Sequence, residues 1–136
     1  MKIAVEFDGT IVENSYPDIG KELPFAAFIL ICLIKHGHKL ILYTHRTGQE
    51  LEAALRWCTE QGIEFWAINK SSPEETIHNN NLRKIDADLF IDGDNLGGIP
   101  QWTKIFSMLH PKDADPIRLR LKYGRHKINK TIKSFI

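Results

Sequence analysis

Cysteine is scarce in this chain. The two that occur, Cys32 and Cys58, sit in helix-like patterns and form no C-x-x-C pair. Both are expected as buried, reduced thiols of a cytosolic protein, not as a disulfide framework. Long hydrophobic runs are also missing. The most apolar stretch, Phe25–Ile34, is flanked by charge and falls short of a membrane span. The N-terminus opens directly on a strand-like segment, so no signal peptide is expected. Glycine and proline are few, at 9 and 6, which excludes fibrous and low-complexity classes. One end of the chain lacks acid altogether. Beyond Pro116 lie seven basic residues, Arg118, Arg120, Lys122, Arg125, Lys127, Lys130 and Lys133, and no Asp or Glu.

That last absence hides behind a net charge of +1. Up to Pro116 the chain carries 11 basic and 17 acidic residues, a balance of −6. The basic segment 117–136 can touch nucleic acid or an acidic partner. The plainer alternative, preferred for so short a tail, is a solvated terminal helix or frayed end.

What is present is ordinary globular material: 136 residues, 43% hydrophobic and 26% charged. That length suits one domain with a real core. Strand-like and helix-like segments alternate, which predicts a mainly parallel sheet in a three-layer α/β/α sandwich. Strands are expected at Lys2–Phe7, Lys39–Thr44, Glu64–Asn69 and Asp88–Ile91. Helices are expected at Phe25–Lys35, with Pro24 in its first turn, at Gln49–Gln61 and at Pro100–Leu109. Leu51, Ala54, Leu55 and Cys58 share one helix face; Trp102, Ile105, Phe106 and Leu109 share another. Pro73–Asn81 reads as a polar loop or short helix. The expected division is one domain over 1–116 and a basic tail over 117–136.

Ligands of such sheets sit outside the carboxyl ends of the strands. Four strands here end on polar residues: Asp8, Thr44, Asn69 and Asp92. In Glu6-Phe7-Asp8-Gly9-Thr10, strand alternation points Glu6 and Asp8 the same way, and Gly9 permits a sharp turn. Two such carboxylates suit a hard cation near a phosphate, because Mg²⁺ takes oxygen ligands and keeps several waters. In Tyr43-Thr44-His45-Arg46, the Thr44 hydroxyl can donate to a phosphate oxygen and Arg46 can add bidentate contacts. His45 either lines the site or faces solvent. In Phe90-Ile91-Asp92-Gly93-Asp94, an apolar strand delivers acids to a turn. Asp92 is the better placed metal ligand, with Asp94 beside it. Lys84 and Lys70 are rival sources of a positive charge for phosphate. His36-Gly37-His38 reads more readily as a polar connection than as a metal site, and Asn79-Asn80-Asn81 as a polar loop. Trp57, Trp66 and Trp102 read as core or near-core aromatics.

Taken together, E-F-D-G-T, Y-T-H-R, Lys84 and F-I-D-G-D, in that order over residues 2–110, resemble the haloacid-dehalogenase (HAD) superfamily of phosphohydrolases. The short spacing between the first two motifs resembles its capless or minimally capped members. The resemblance implies a Rossmann-like fold and a Mg²⁺ cofactor. It also implies a phosphorylated substrate, either a small molecule or an exposed phosphate on something larger. By that resemblance Glu6 stands at the nucleophile position and Asp8 at the general acid/base. Thr44 orients the phosphoryl group; from their places at the strand ends, and not from the resemblance, Gly9, Thr10, His45, Arg46 and Lys70 are expected as further phosphate contacts. Lys84 neutralises developing charge. Glu6, Asp8 through its carbonyl, and Asp92 hold the metal, with Asp94 nearby.

Two positions depart from the family pattern. Glu6 replaces the usual Asp, and its extra methylene moves the carboxylate outward by about one ångström, a shift that can cost roughly a hundredfold in rate. Gly93 stands where many members carry a second Asp. Three functions follow as expectations: a Mg²⁺-dependent phosphatase, a relative that binds cation and phosphate without turnover, or an interaction protein acting through its basic tail.

Overall fold

The computed structural model of the chain describes residues 1–76, 84–115, 118, 119 and 122. Its elements run β1 (Lys2–Glu6), α1 (Ala26–Lys35), β2 (Lys39–Tyr43), α2 (Gly48–Glu60), β3 (Ala67–Ile68), β4 (Leu89–Ile91) and α3 (Trp102–Leu109). The strands form one sheet in the order β3-β2-β1-β4, and every pairing is parallel. The fold is the expected α/β, Rossmann-like class. Asn79-Asn80-Asn81 and most of segment 117–136 lie outside the described residues. Of that segment, Leu119 is 5% exposed and joins the core, whereas Arg118 and Lys122 are exposed.

Strand alternation sorts the core into two clusters. Ile3, Val5, Leu40, Leu42 and Ile91 pack with residues of all three helices. Ala4, Ile41 and Ala67 face the other way, against Ile85, Trp66, Tyr43 and Phe90. A sheet covered on both faces needs near-continuous apolar strands, which is what Ile3-Ala4-Val5 and Leu40-Ile41-Leu42 supply.

Helix α1 is buried from Ala26 to Leu33, so it has almost no polar face. It begins one residue later than expected, because Phe25 takes a left-handed conformation (φ 68°). Pro24 therefore lies in the preceding turn. The Glu22 carboxylate accepts a hydrogen bond from the Ala27 N–H (2.8 Å), serving one donor that a helix start leaves open. The helix ends in a Schellman motif: Gly37 N–H donates to Ile34 O (3.0 Å) and His38 N–H to Leu33 O (3.1 Å). Helix α2 ends the same way, with Gly62 N–H to Thr59 O (3.0 Å) and Ile63 N–H to Cys58 O (2.9 Å). Its expected face holds: Ala54 and Cys58 are buried, with Leu51 and Leu55 packed beside them. In α3, Trp102, Ile105 and Phe106 are buried. Burial pushes both cysteine thiols up to about 12, so they are inert packing groups.

Strand β3 is shorter than the expected Glu64–Asn69. Trp66 and Asn69 still donate to Leu40 O and Leu42 O, each at 2.8 Å. Asn69 then leaves the ladder in a left-handed conformation (φ 53°). Among the described residues no helix is long and apolar enough to cross a membrane.

Candidate functional site

The chain runs from β1 outward through β2 to β3, then crosses back to place β4 on the other side of β1. The strand order reverses between β1 and β4, where an open α/β sheet has its crevice. Glu6 closes β1 and Asp92 follows β4, so both carboxylates meet at that crevice.

Glu6 is 8% exposed, and its Oε2 is buried without a hydrogen-bond partner. Carboxylate oxygens of Glu6, Asp92 and Asp94 all lie within 4.8 Å of one another. Burial, then Asp92, then Asp94 and Asp8, push the Glu6 carboxyl up to about 8. A buried carboxyl among acids must either keep its proton or meet a cation. The donor set is all oxygen, partly exposed and anionic, which fits a hard divalent cation that retains waters.

The turn that presents Asp92 is fixed by short contacts. Asp92 Oδ1 accepts the Asp94 N–H (2.8 Å), and its carbonyl accepts the Asn95 N–H (3.1 Å). Gly93 N–H donates to Thr10 Oγ1 (2.8 Å). A Cβ at Gly93 would collide with the Gly9 carbonyl oxygen and press on Thr10 Oγ1 at 3.3 Å. Gly93 thus lets the β4 turn seat against the β1 turn. Thr10 is fully buried, and its carbonyl accepts the Trp102 indole N–H (2.9 Å). The expected phosphate contact at Thr10 is therefore replaced by a latch joining β1, β4 and α3. Gly9, likewise, donates its N–H to Val12 O (2.8 Å) and takes a positive φ of 78° in the turn.

Asp8 and Arg46 correct the sequence reading most clearly. Strand β1 ends at Glu6, so alternation no longer governs Asp8, and its side chain is not in the carboxylate cluster. Instead Arg46 holds it in a two-point fork, Nε to Oδ2 and NH2 to Oδ1, both 2.7 Å. The other N–H groups donate to the carbonyls of Pro17 (3.0 Å), Glu50 (3.2 Å) and Asp18 (2.7 Å). A guanidinium has five N–H donors, and all five are spent on protein. Arg46 is 1% exposed. It is a tie between the β1 turn, the loop before α1 and the start of α2, and it has no donor left for a phosphate.

Thr44 sits at the end of β2. Asn69 Oδ1 accepts its N–H (2.9 Å), and its own Oγ1 accepts the Arg46 N–H (3.1 Å). His45 is exposed, with its ring 6.4 Å from that of Tyr43. Lys70 follows Asn69 and is half-buried. Lys84 is exposed, with its Nζ 5.5 Å from the Phe90 ring centre. The sequence reading missed the participation of Trp102 and of the Pro17, Asp18 and Glu50 carbonyls. No sequence signal marks a backbone acceptor, and Trp102 reads like any core aromatic.

No family model and no curated protein matches the chain. A solved structure does: a conserved protein coded by a locus from Bacteroides thetaiotaomicron, 52% identical, with a TM-score of 0.75, over 82% of this chain and 91% of that one. At that identity and coverage the chain belongs to the family of this conserved Bacteroides thetaiotaomicron protein.

Proposed function

We propose that the chain is a small Mg²⁺-dependent phosphohydrolase of the HAD type. The observation that carries the reading is the buried Glu6 carboxylate, its Oε2 without a hydrogen-bond partner, gathered with Asp92 and Asp94 at the strand-order reversal. Glu6 and Asp92 would hold the cation, with Asp94 in reach. When bound, Mg²⁺ supplies positive charge against the oxygens of a phosphoryl group. Glu6 is the carboxylate at the position from which this superfamily attacks phosphorus. Thr44 is anchored at the neighbouring strand end, where its hydroxyl orients the phosphoryl group. Lys70 and Lys84 remain the two candidates for a cation that neutralises developing charge.

One observation favours a second reading, cation and phosphate binding without turnover. The general acid/base position belongs to Asp8, and Arg46 grips both of its oxygens. The fork engages both carboxylate oxygens and fixes their orientation, so Asp8 reaches a leaving group only after that fork opens.

The test is hydrolysis of a panel of phosphate esters with Mg²⁺ and with chelator. The native chain is compared with Glu6→Asp and Asp8→Asn, each checked for folding by circular dichroism. Mg²⁺-dependent turnover that Asp8→Asn abolishes supports the phosphatase. Turnover by Glu6→Asp alone leaves the natural chain a binder. Inactivity of both, with no Mg²⁺ uptake, removes both readings.

A further inference from the structure

The opposite end of the sheet carries a second cluster of metal-ligating groups. Parallel strands put all their amino ends on one edge. Lys2 opens β1 and Lys39 opens β2 there, so the connection His36-Gly37-His38 lies at that edge, away from Glu6. Helix α3 ends at the same place. His110 is its C-cap, and the following turn, closed by Asp113 N–H to His110 O (3.1 Å), brings the Asp113 carboxylate back toward α1.

The geometry points to a transition-metal site, best suited to Zn²⁺, formed by His36, His110 and Asp113. One ligand atom from each of the three lies within 4.8 Å of the other two. His36 Nε2 and Asp113 Oδ2 are 3.6 Å apart. Tetrahedral zinc with bonds of about 2.05 Å holds its ligand atoms about 3.3 Å apart, so this pair needs only a few tenths of an ångström. The His36 side chain is 9% exposed. Its Nδ1 lies 2.9 Å from the Cys32 carbonyl, which can accept a hydrogen bond from Nδ1–H and leave Nε2 as the ligand atom. Zinc-bound histidines are oriented in this way by a carbonyl behind them. His38 stands in reserve. Its Nε2 is 2.7 Å from His110 Nε2, closer than two nitrogens on one zinc, so it enters the coordination shell only by moving outward.

The surroundings agree with this ligand chemistry. Two imidazoles with one carboxylate select a borderline-soft cation, whereas Glu6, Asp92 and Asp94 offer only oxygen to a hard one. Asp113 is largely exposed, with a side-chain exposure of 58%, and leaves a position for water.

Such an ion would join the α1–β2 connection to the far end of α3. The near end of α3 is already fixed, since Trp102 donates to Thr10 behind the acidic crevice. The metal would act as a clip that holds α3 at both ends, not as a reaction centre.

The experiment titrates Zn²⁺ into the chelator-stripped full chain by calorimetry. It is repeated with Asp92→Asn/Asp94→Asn, which disables the acidic cluster, and with His110→Ala. Imidazole ¹⁵N resonances of the native chain are followed in parallel. One Zn²⁺ per chain is expected, retained in the Asn double variant, undisturbed by excess Mg²⁺ and raising the thermal midpoint. The His36 and His110 resonances shift on binding. His110→Ala should weaken binding by more than the roughly 10–100-fold that loss of an outer-shell partner costs. The proposal is overturned if no Zn²⁺ binds, or if the Asn double variant abolishes uptake while the native histidine resonances stay still. The native-chain resonances decide the matter even where His110→Ala fails to fold.

Discussion

Glu6 and Asp8 are two residues apart and chemically alike, yet the fold treats them in opposite ways. Glu6 is buried, surrounded by acids and left with an orphan oxygen. Asp8 has both oxygens gripped by one guanidinium. The first must either keep its proton or meet a cation. The second is a satisfied structural tie. Carboxylates near a strand end therefore become site or scaffold according to which partner the neighbouring elements bring to them.

The sharpest way to break this contrast is to remove the tie. Arg46→Met should leave Asp8 with its charge uncompensated and three carbonyls without donors, costing about 3–5 kcal/mol in denaturant unfolding. Arg46→Lys should recover little of this, because an ammonium cannot reproduce the planar fork. A variant near native stability would show that the fork contributes little.

A smaller loss, about 1–3 kcal/mol, is expected from Gly93→Ala, since the new methyl meets the Gly9 carbonyl. Gly93→Asp should be no better tolerated, because it places a Cβ at the same point. Equal stability of both with the native chain would mean that the two turns separate without cost.

The Glu6 side of the contrast is read by pH. In chelated protein its folded pKa, about 8, lies above the ordinary 4.5. The folded state then binds more protons than the unfolded state between those values, so stability falls as pH rises from about 4.5 to 8. Glu6→Gln should flatten that slope, and Mg²⁺ should reverse it in the native chain by stabilising the ionised form. A slope unchanged by Glu6→Gln would assign the effect elsewhere.

The smallest expected effect distinguishes the lysines. Lys84→Ala, at an exposed position, should change stability by no more than about 0.5 kcal/mol. Its effect on phosphate affinity, measured beside Lys70→Ala, tells which lysine serves the acidic crevice. No change from either would remove both.

Much of the architecture was legible in the chain. Among the described residues, the alternation of apolar runs and amphipathic segments located β1–β4 and α1–α3 to within a few residues. Gly37 and Gly62 marked where α1 and α2 end. Asp92 and Asp94 were legible as acids after a strand, and they do gather with Glu6. Arg46 was misread because a strand end beside Thr44 looks the same in sequence whether its guanidinium points at solvent or at Asp8. The role of Gly93 was hidden for a related reason: the crowding comes from Gly9, on a different strand end.

By itself the sequence determined the periodic quantities: which segments are strands, which are helices, which faces are apolar, and that acids cluster where strands end. These follow from local geometry, with side chains repeating every two residues in a strand and every 3.6 in a helix. Only the tertiary structure decided which acid is gripped by Arg46, which is left orphaned in the β1–β4 crevice, and that His36 meets His110 and Asp113 at the opposite edge. Those outcomes depend on contacts between residues far apart in the chain, set by strand order and helix packing, and no local period encodes them.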